Sequence, residues 1–177
     1  IAGGYIINNF YDSGKDLINR PIKSRLDKLV SQNTKLSFYF VLNFLAAIMA
    51  SYVSFRAVVF FSIYIFGIWF YSHKLKKLPF IGNLTSAVLT ITPFFAIFLY
   101  YKNFESSIFV HAIFLFLMIS MRELTKDLEN IKGDLTQNYH TIPVVYGEEV
   151  SKKMLTILSI LTLVPIYLLL FIYEIGD

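Results

Sequence analysis

Charged residues interrupt this chain at long intervals, and the stretches between them are almost continuously apolar. Between Lys35 and Arg56 lie twenty residues without a formal charge, rich in Phe, Leu, Val and Ala. A run of that length crosses about 30 Å of hydrocarbon as a helix. Further apolar runs cover 57–71, 78–101, 106–121 and 154–173, and the short fourth run leads into a polar segment that would prolong its helix. Residues 1–7 read as the tail of another apolar segment, which gives one partial and five complete helices. The predicted fold class is therefore all-α, a polytopic transmembrane helix bundle. We expect one intramembrane domain over residues 1–177, incomplete at both ends.

Composition supports the same class. The 177 residues are 56% hydrophobic, 18% aromatic and only 16% charged, with a mean hydropathy of +0.59. Soluble domains average about 45–50% apolar and about 25% charged residues. Cysteine is absent, which excludes disulfides, thiolate nucleophiles and cysteine metal sites.

The net charge of +4 would invite a nucleic-acid reading if the cations formed a patch. Instead, 14 of the 16 Lys and Arg residues fall in three segments, 15–35, 74–77 and 122–153. Cations gathered in alternate loops follow the positive-inside rule, so these loops are expected to face the cytoplasm, at the cell membrane in a prokaryote. The predicted partner is the lipid bilayer, with no nucleic acid. Nine of the 12 acids share the same three loops or their edges. The positive-inside rule requires only cations, so the acids call for a chemical explanation.

Two acidic clusters supply one. If the first helix continues through the run 8–16, Asn8, Asp12 and Asp16 are spaced i, i+4, i+8 and project from one face. Carboxylates at that spacing repel, and a bound cation would relieve them; a solvated helix end with scattered acids is the plainer alternative. In the second cluster, 122–134, the residues Glu123, Asp127, Asn130 and Asp134 follow i, i+4, i+7, i+11, again one face of a continuous helix. Arg122 and Lys126 form a cationic stripe beside it. Carboxylates interleaved with Lys and Arg suit a phosphorylated ligand bridged by Mg²⁺, which prefers carboxylates and phosphate oxygens; a salt-bridged interfacial helix is the alternative. The aromatic and basic segment 71–77 reads as an interfacial anchor with snorkelling lysines or, beside the two clusters, as a diphosphate-holding loop. His73, His111 and His140 lack partners at ligand spacing and are read as structural. Gly133, Pro143 and Gly147 read as loop punctuation. No GxxxxGK[ST], GxGxxG or HExxH motif is present, so nucleotide hydrolysis and zinc proteolysis lack support.

Taken together, these blocks resemble the UbiA family of intramembrane prenyltransferases. The family's first motif, NDxxDxxxD with a following Asn and Pro, is matched by Asn8, Asp12, Asp16, Asn19 and Pro21. A second motif of the form RExxKDxEDxxGD, then Thr-x-Pro, is matched by Arg122, Glu123, Lys126, Asp127, Glu129, Gly133, Asp134, Thr141 and Pro143. An intervening Tyr with a downstream Lys, then Pro-x-Ile-Gly-Asn, is matched by Tyr71, Lys76, Pro79, Ile81, Gly82 and Asn83. Asn9 and Asn130 stand where the family usually has Asp, which leaves each cluster one carboxylate short.

The resemblance implies a nine-helix fold, of which this chain corresponds to the second through seventh helices, and a transferase of alkyl groups that needs Mg²⁺. It places a polyprenyl diphosphate donor between the clusters, with Mg²⁺ on Asn8, Asp12, Asp16, Asp127 and Asp134, and Asn130 and Glu123 as further candidate ligands. Asn8, Tyr71, Lys76, Arg122 and Lys126 would bind the diphosphate. Asp12, Asp16, Asp127, Asp134, Lys76, Arg122 and Lys126 would form the catalytic set. The Arg-Glu form of the second motif is similar to the branch that transfers a geranylgeranyl group to the lipophilic acceptor geranylgeranylglyceryl phosphate in ether-lipid synthesis. Prenylation of a quinone precursor, chlorophyllide or haem is the alternative acceptor chemistry. Phosphatidyl-alcohol transfer would show an Asp-Gly and Ala-Arg lead before its aspartates, where this chain has Asn8 and Asn9. A transporter or cation-binding membrane protein, the non-enzymatic alternative, would carry its acids at helix centres rather than at helix ends.

Overall fold

The computed structural model describes residues 2–173. Among these residues every regular element is helical, as the apolar runs predict. Five helical segments are long and apolar enough to cross a membrane: Gln32–Val53, Phe55–Lys77, Ile81–Tyr101, Ser106–Glu129 and Ile142–Ile172. Their large side chains point mostly outward; Phe44, Phe55, Ile63, Leu99 and Ile160 are all exposed. Such surfaces would aggregate in water, and hydrocarbon is the solvent that accommodates them. This is an integral membrane protein.

The chain divides into two compact units, residues 1–77 with 132–139, and residues 78–131 with 140–177. In the first unit, α1 (Ala2–Asn19) packs against α3 (Gln32–Val53), α4 (Phe55–His73) and the short α2 (Pro21–Asp27). Local sequence sets the boundaries. Arg20 is pushed out of helical geometry by Pro21, which then opens α2 at a position where its missing N–H costs nothing. Ser31 and Ser54 cap α3 and α4, their hydroxyls accepting from the Thr34 and Ala57 backbone N–H groups at 3.1 Å. Ser54 is the sole extended residue between α3 and α4, so the chain passes from one span directly to the next.

The second unit contains α5 (Ile81–Tyr101), α6 (Ser106–Glu129) and α8 (Ile142–Tyr167), with α6 packed against both others and a π-helical turn, Leu168–Ile172, closing the last span. Hydroxyls inside the spans donate to carbonyls one turn back, as Thr90 does to Ser86 and Ser120 to Phe116, both at 2.8 Å. In hydrocarbon this satisfies a donor that has no water to meet. Gly147 adopts φ 84°, a conformation side chains disfavour, and breaks the first turn of α8 from the rest. Of the residues read as punctuation, Pro143 instead opens α8 and Gly133 lies within the short helix α7 (Ile131–Thr136).

One predicted element differs. The second acidic cluster does not form a continuous helix: α6 ends at Asn130, and α7 begins afresh. Asn130 is buried and bonds its Nδ2 to the Lys126 carbonyl at 2.6 Å, while its own N–H closes a tight turn onto Asp127. Asn competes with the helical ladder through such bonds. Asp134 therefore leaves the face shared by Glu123 and Asp127 and belongs to the first unit.

Candidate functional site

The first unit builds its polar centre on α1. The first helix does continue through the run 8–16, unbroken to Asn19, so Asn8 and Asp12 lie one turn apart. Both converge on one cation, the Lys76 ammonium, which donates to Asp12 Oδ1 at 2.7 Å and Asn8 Oδ1 at 3.3 Å. Lys76 sits in the 3₁₀ turn Leu75–Lys77 that follows α4, with its side chain 7% exposed and that of Asp12 15%. Asp16, the third residue of the expected face, pairs with Lys23 of α2 at 2.7 Å. Asn9 turns elsewhere: its amide donates to Asp27 Oδ1 at 2.7 Å, and Lys35 holds Asp27 Oδ2 at 2.5 Å. Burial pushes the Asp27 carboxyl up, but the bonds from Lys35 and Asn9 and the charges of Lys35 and Lys23 outweigh it, and the net effect is a lowered pKa.

Asp134 is fully buried and ion-paired with Lys15 of α1. Its place is fixed by two local devices. Gly133 N–H donates to Asn19 Oδ1 at 3.1 Å, and a Cβ on Gly133 would overlap the Asn19 side-chain amide, so any larger residue there would have to displace it. After α7 the chain reverses in a Schellman motif: Asn138 takes φ 54°, its N–H bonding the Leu135 carbonyl and that of Tyr139 the Asp134 carbonyl at 2.8 Å. The reversal returns Tyr139, 5% exposed, to the polar centre. Three ammonium groups lie over its ring, Lys15 and Lys77 at 5.3 Å and Lys76 at 5.9 Å from the centroid. Burial pushes the Tyr139 phenol up, and the neighbouring Asp12, Asp134 and Tyr71 push it further. The ring stays neutral, and each cation over it gains on the order of 0.5–2 kcal/mol. Lys15, Lys77 and Tyr139 are absent from the sequence-derived set. The signal for Tyr139 is the Asn138 that ends a short helix and turns the next residue back.

In the second unit, the buried Glu123 accepts from Arg122 Nη1 at 3.4 Å and Lys126 Nζ at 3.2 Å. The expected cationic stripe on α6 therefore faces Glu123. Asp127 is buried on the same helix.

Among the described residues, no three His, Cys, Asp or Glu side chains form a metal-binding group. The oxygens of Asn8 and Asp12 nevertheless meet at a single cation, and every acid of the polar centre carries an ammonium partner. Two oxygens thus face one positive charge, and oxygen donors of this kind are those that a hard cation takes.

A transmembrane helical chain with a half-buried seat of acids and lysines at its helix ends invites comparison with enzymes that act on phosphorylated lipids. The UbiA prenyltransferase family matches residues 1–176. The chain belongs to that family. Among curated UbiA relatives, digeranylgeranylglyceryl phosphate synthase of Thermococcus sibiricus is 36% identical over 162 residues, covering 91% of this chain and 57% of the relative. The enzyme of the same name from Methanobrevibacter smithii is 33% identical, covering 100% and 65%. A solved structure, described as giving insights into the biosynthesis of digeranylgeranylglyceryl phosphate synthase in membranes, superposes with a TM-score of 0.66 at 25% identity, covering 99% of this chain and 62% of that one. The chain thus spans about three fifths of the length of these UbiA relatives.

Proposed function

We propose that this protein transfers a prenyl group from a polyprenyl diphosphate to a glycerophosphate lipid, as the name digeranylgeranylglyceryl phosphate synthase describes for its relatives, with geranylgeranyl as the group moved. The observation that carries the reading is the convergence of Asn8 and Asp12 on one cation, the Lys76 ammonium. Acids and lysines arranged this way serve ionisation of an allylic diphosphate, in which negative charge accumulates on the leaving group.

Asn8 and Asp12, with Asp16 and Asp134, would hold Mg²⁺, and Mg²⁺ when bound would neutralise diphosphate oxygens. Lys76 would donate to those oxygens, aided by Tyr71. Arg122, Lys126 and Asp127, with Glu123 and Asn130 as lesser candidates, are assigned to the same reaction by their order in the family motif. As the allylic carbon–oxygen bond breaks, its electron pair leaves with diphosphate, and the allylic carbon takes a new bond from the acceptor hydroxyl, whose proton passes to the released diphosphate. The preorganised ammonium groups favour this step because they already stand where charge develops. The apolar spans would hold the prenyl tail away from water. The loops bearing these residues face the cytoplasm in this reading, since they also carry most of the cations.

The test offers full-length protein in vesicles labelled geranylgeranyl diphosphate and a panel of acceptors, with products read by mass. Transfer to geranylgeranylglyceryl phosphate that stops when Mg²⁺ is chelated is expected. Transfer to an aromatic ring or haem instead would reassign the acceptor. Unchanged turnover in Asp12→Ala would overturn the site.

A further inference from the structure

The polar centre contains more cations than its acids require. Asp134 is matched by Lys15 and Asp12 by Lys76, but Lys77 forms no ion pair with a described residue. Its ammonium nevertheless lies as close to the Tyr139 ring as that of Lys15. Three ammonium groups gathered around one ring repel one another, and among the described residues two carboxylates, Asp12 and Asp134, are ion-paired with them. An exposed lysine in that position would swing into solvent; Lys77 instead stays half-buried over an aromatic face.

We infer that Tyr139 is a positioning residue whose ring gathers Lys15, Lys76 and Lys77 into one anion seat with a surplus of one positive charge, and that the seat takes the diphosphate of the donor. The inference rests on the reading of the protein as a prenyltransferase, and it adds Lys15, Lys77 and Tyr139 to the residues that serve it. The ring suits the task because its face attracts all three cations without neutralising any of them, whereas a carboxylate there would cancel the surplus. Diphosphate brings several oxygens, so it can accept from the three ammonium groups at once. The Schellman turn at Asn138 is what places the ring, through the bond from Tyr139 N–H to the Asp134 carbonyl. Asp134 and the platform beneath the lysines are thereby set by one turn of chain.

Calorimetric titration of the full-length protein with inorganic pyrophosphate and Mg²⁺ tests the seat, beside the KM for geranylgeranyl diphosphate and kcat. Tyr139→Phe keeps the ring and is expected to bind within about twofold of wild type. Tyr139→Leu and Lys77→Met are each expected to weaken pyrophosphate binding by about tenfold, the loss of one charge-assisted contact. In both variants KM for the donor rises while kcat changes less, and Lys77→Arg restores binding. A general loss of structure would instead lower kcat and thermal stability together and would not distinguish Phe from Leu. If Tyr139→Leu and Lys77→Met bind pyrophosphate as tightly as wild type, the seat is overturned while the prenyltransferase reading stands. If wild type binds pyrophosphate through these residues but transfers no prenyl group, the prenyltransferase reading fails.

Discussion

Asn9 shows how one residue can leave a motif for a structural reason. Its amide donates to Asp27 at 2.7 Å, while its Oδ1 is buried without a hydrogen-bond partner among the described residues. An aspartate here would set a carboxylate against Asp27 and bury a second charged oxygen with nothing to meet it. Asn9→Asp is therefore expected to destabilise the detergent-solubilised protein at pH 7 by about 1–3 kcal/mol, read as a lower thermal midpoint. The deficit should shrink towards pH 4, where one carboxyl of the pair takes up a proton. A variant as stable as wild type at pH 7 would show that Asn9 is not constrained by Asp27. Asp27 also imposes a pH dependence of its own. Its folded pKa lies below the ordinary 3.8, so the native state binds this proton less readily than the unfolded chain. The stabilisation is fully present above the unfolded value and is lost as pH falls through the folded one. Removing the partner with Lys35→Met should raise the Asp27 pKa and move the onset of acid unfolding upward, measured by tryptophan fluorescence between pH 6 and 2. An unchanged acid limb would argue against the pair.

Gly133 and Asn19 do for α7 what the Asn9 pair does for α2. Because a Cβ at position 133 would overlap the Asn19 amide, Gly133→Ala must move either that amide or the six-residue helix that carries Asp134. We expect a loss of about 1–3 kcal/mol, typical of overpacking. Asn19→Ala alone loses the 3.1 Å bond to the Gly133 N–H, at about 1 kcal/mol. The double variant should fall short of the sum, since removing the Asn19 amide leaves room for the methyl group added at position 133; strict additivity in a double-mutant cycle by thermal unfolding would refute the contact. The same region is where spacing ceases to determine structure. The five spans were legible because uncharged runs of membrane length have few alternatives, and the helical spacing of Asn8, Asp12 and Asp16 allowed α1 to continue through them, though it did not show where the helix would end. Periodicity alone could not reveal that Asn130 would end α6, because asparagine is tolerated within helices and the spacing of Glu123, Asp127 and Asp134 fits an unbroken one. Nor could spacing show that Lys15 meets Asp134, far along the chain, or that Asn138 turns Tyr139 back over three lysines. Those contacts depend on where separate helices lie, and the sequence pattern is silent on that.

Segregation of charge along the whole chain makes a topological prediction. The segments 15–35, 74–77 and 122–153 hold 14 of the 16 cations, whereas the ends between α3 and α4 and between α5 and α6 hold only Arg56 and Lys102. A basic loop left on the outer side opposes a membrane potential worth about 2.3 kcal/mol per charge at 100 mV, so several such charges together set the orientation firmly. Absence of cysteine makes the test direct, because each introduced thiol is the only one in this sequence. Lys28→Cys and Thr136→Cys should react with a membrane-impermeant maleimide only in inside-out vesicles, and Tyr52→Cys and Asn103→Cys only in right-side-out ones. The reverse pattern would place the lysine and carboxylate seat on the outer face. Labelling of all four from one side would mean that the apolar helices do not all span. The expected pattern would put Asn8, Asp12, Lys76 and Asp134 on the cytoplasmic side; under the proposed prenyl transfer the donor's diphosphate would meet them there, and the exposed Phe, Leu and Ile side chains of the spans would leave the prenyl tail in hydrocarbon. A single donor molecule would then span both solvents during the reaction, with its charged end among lysines and its reactive carbon at the boundary between them.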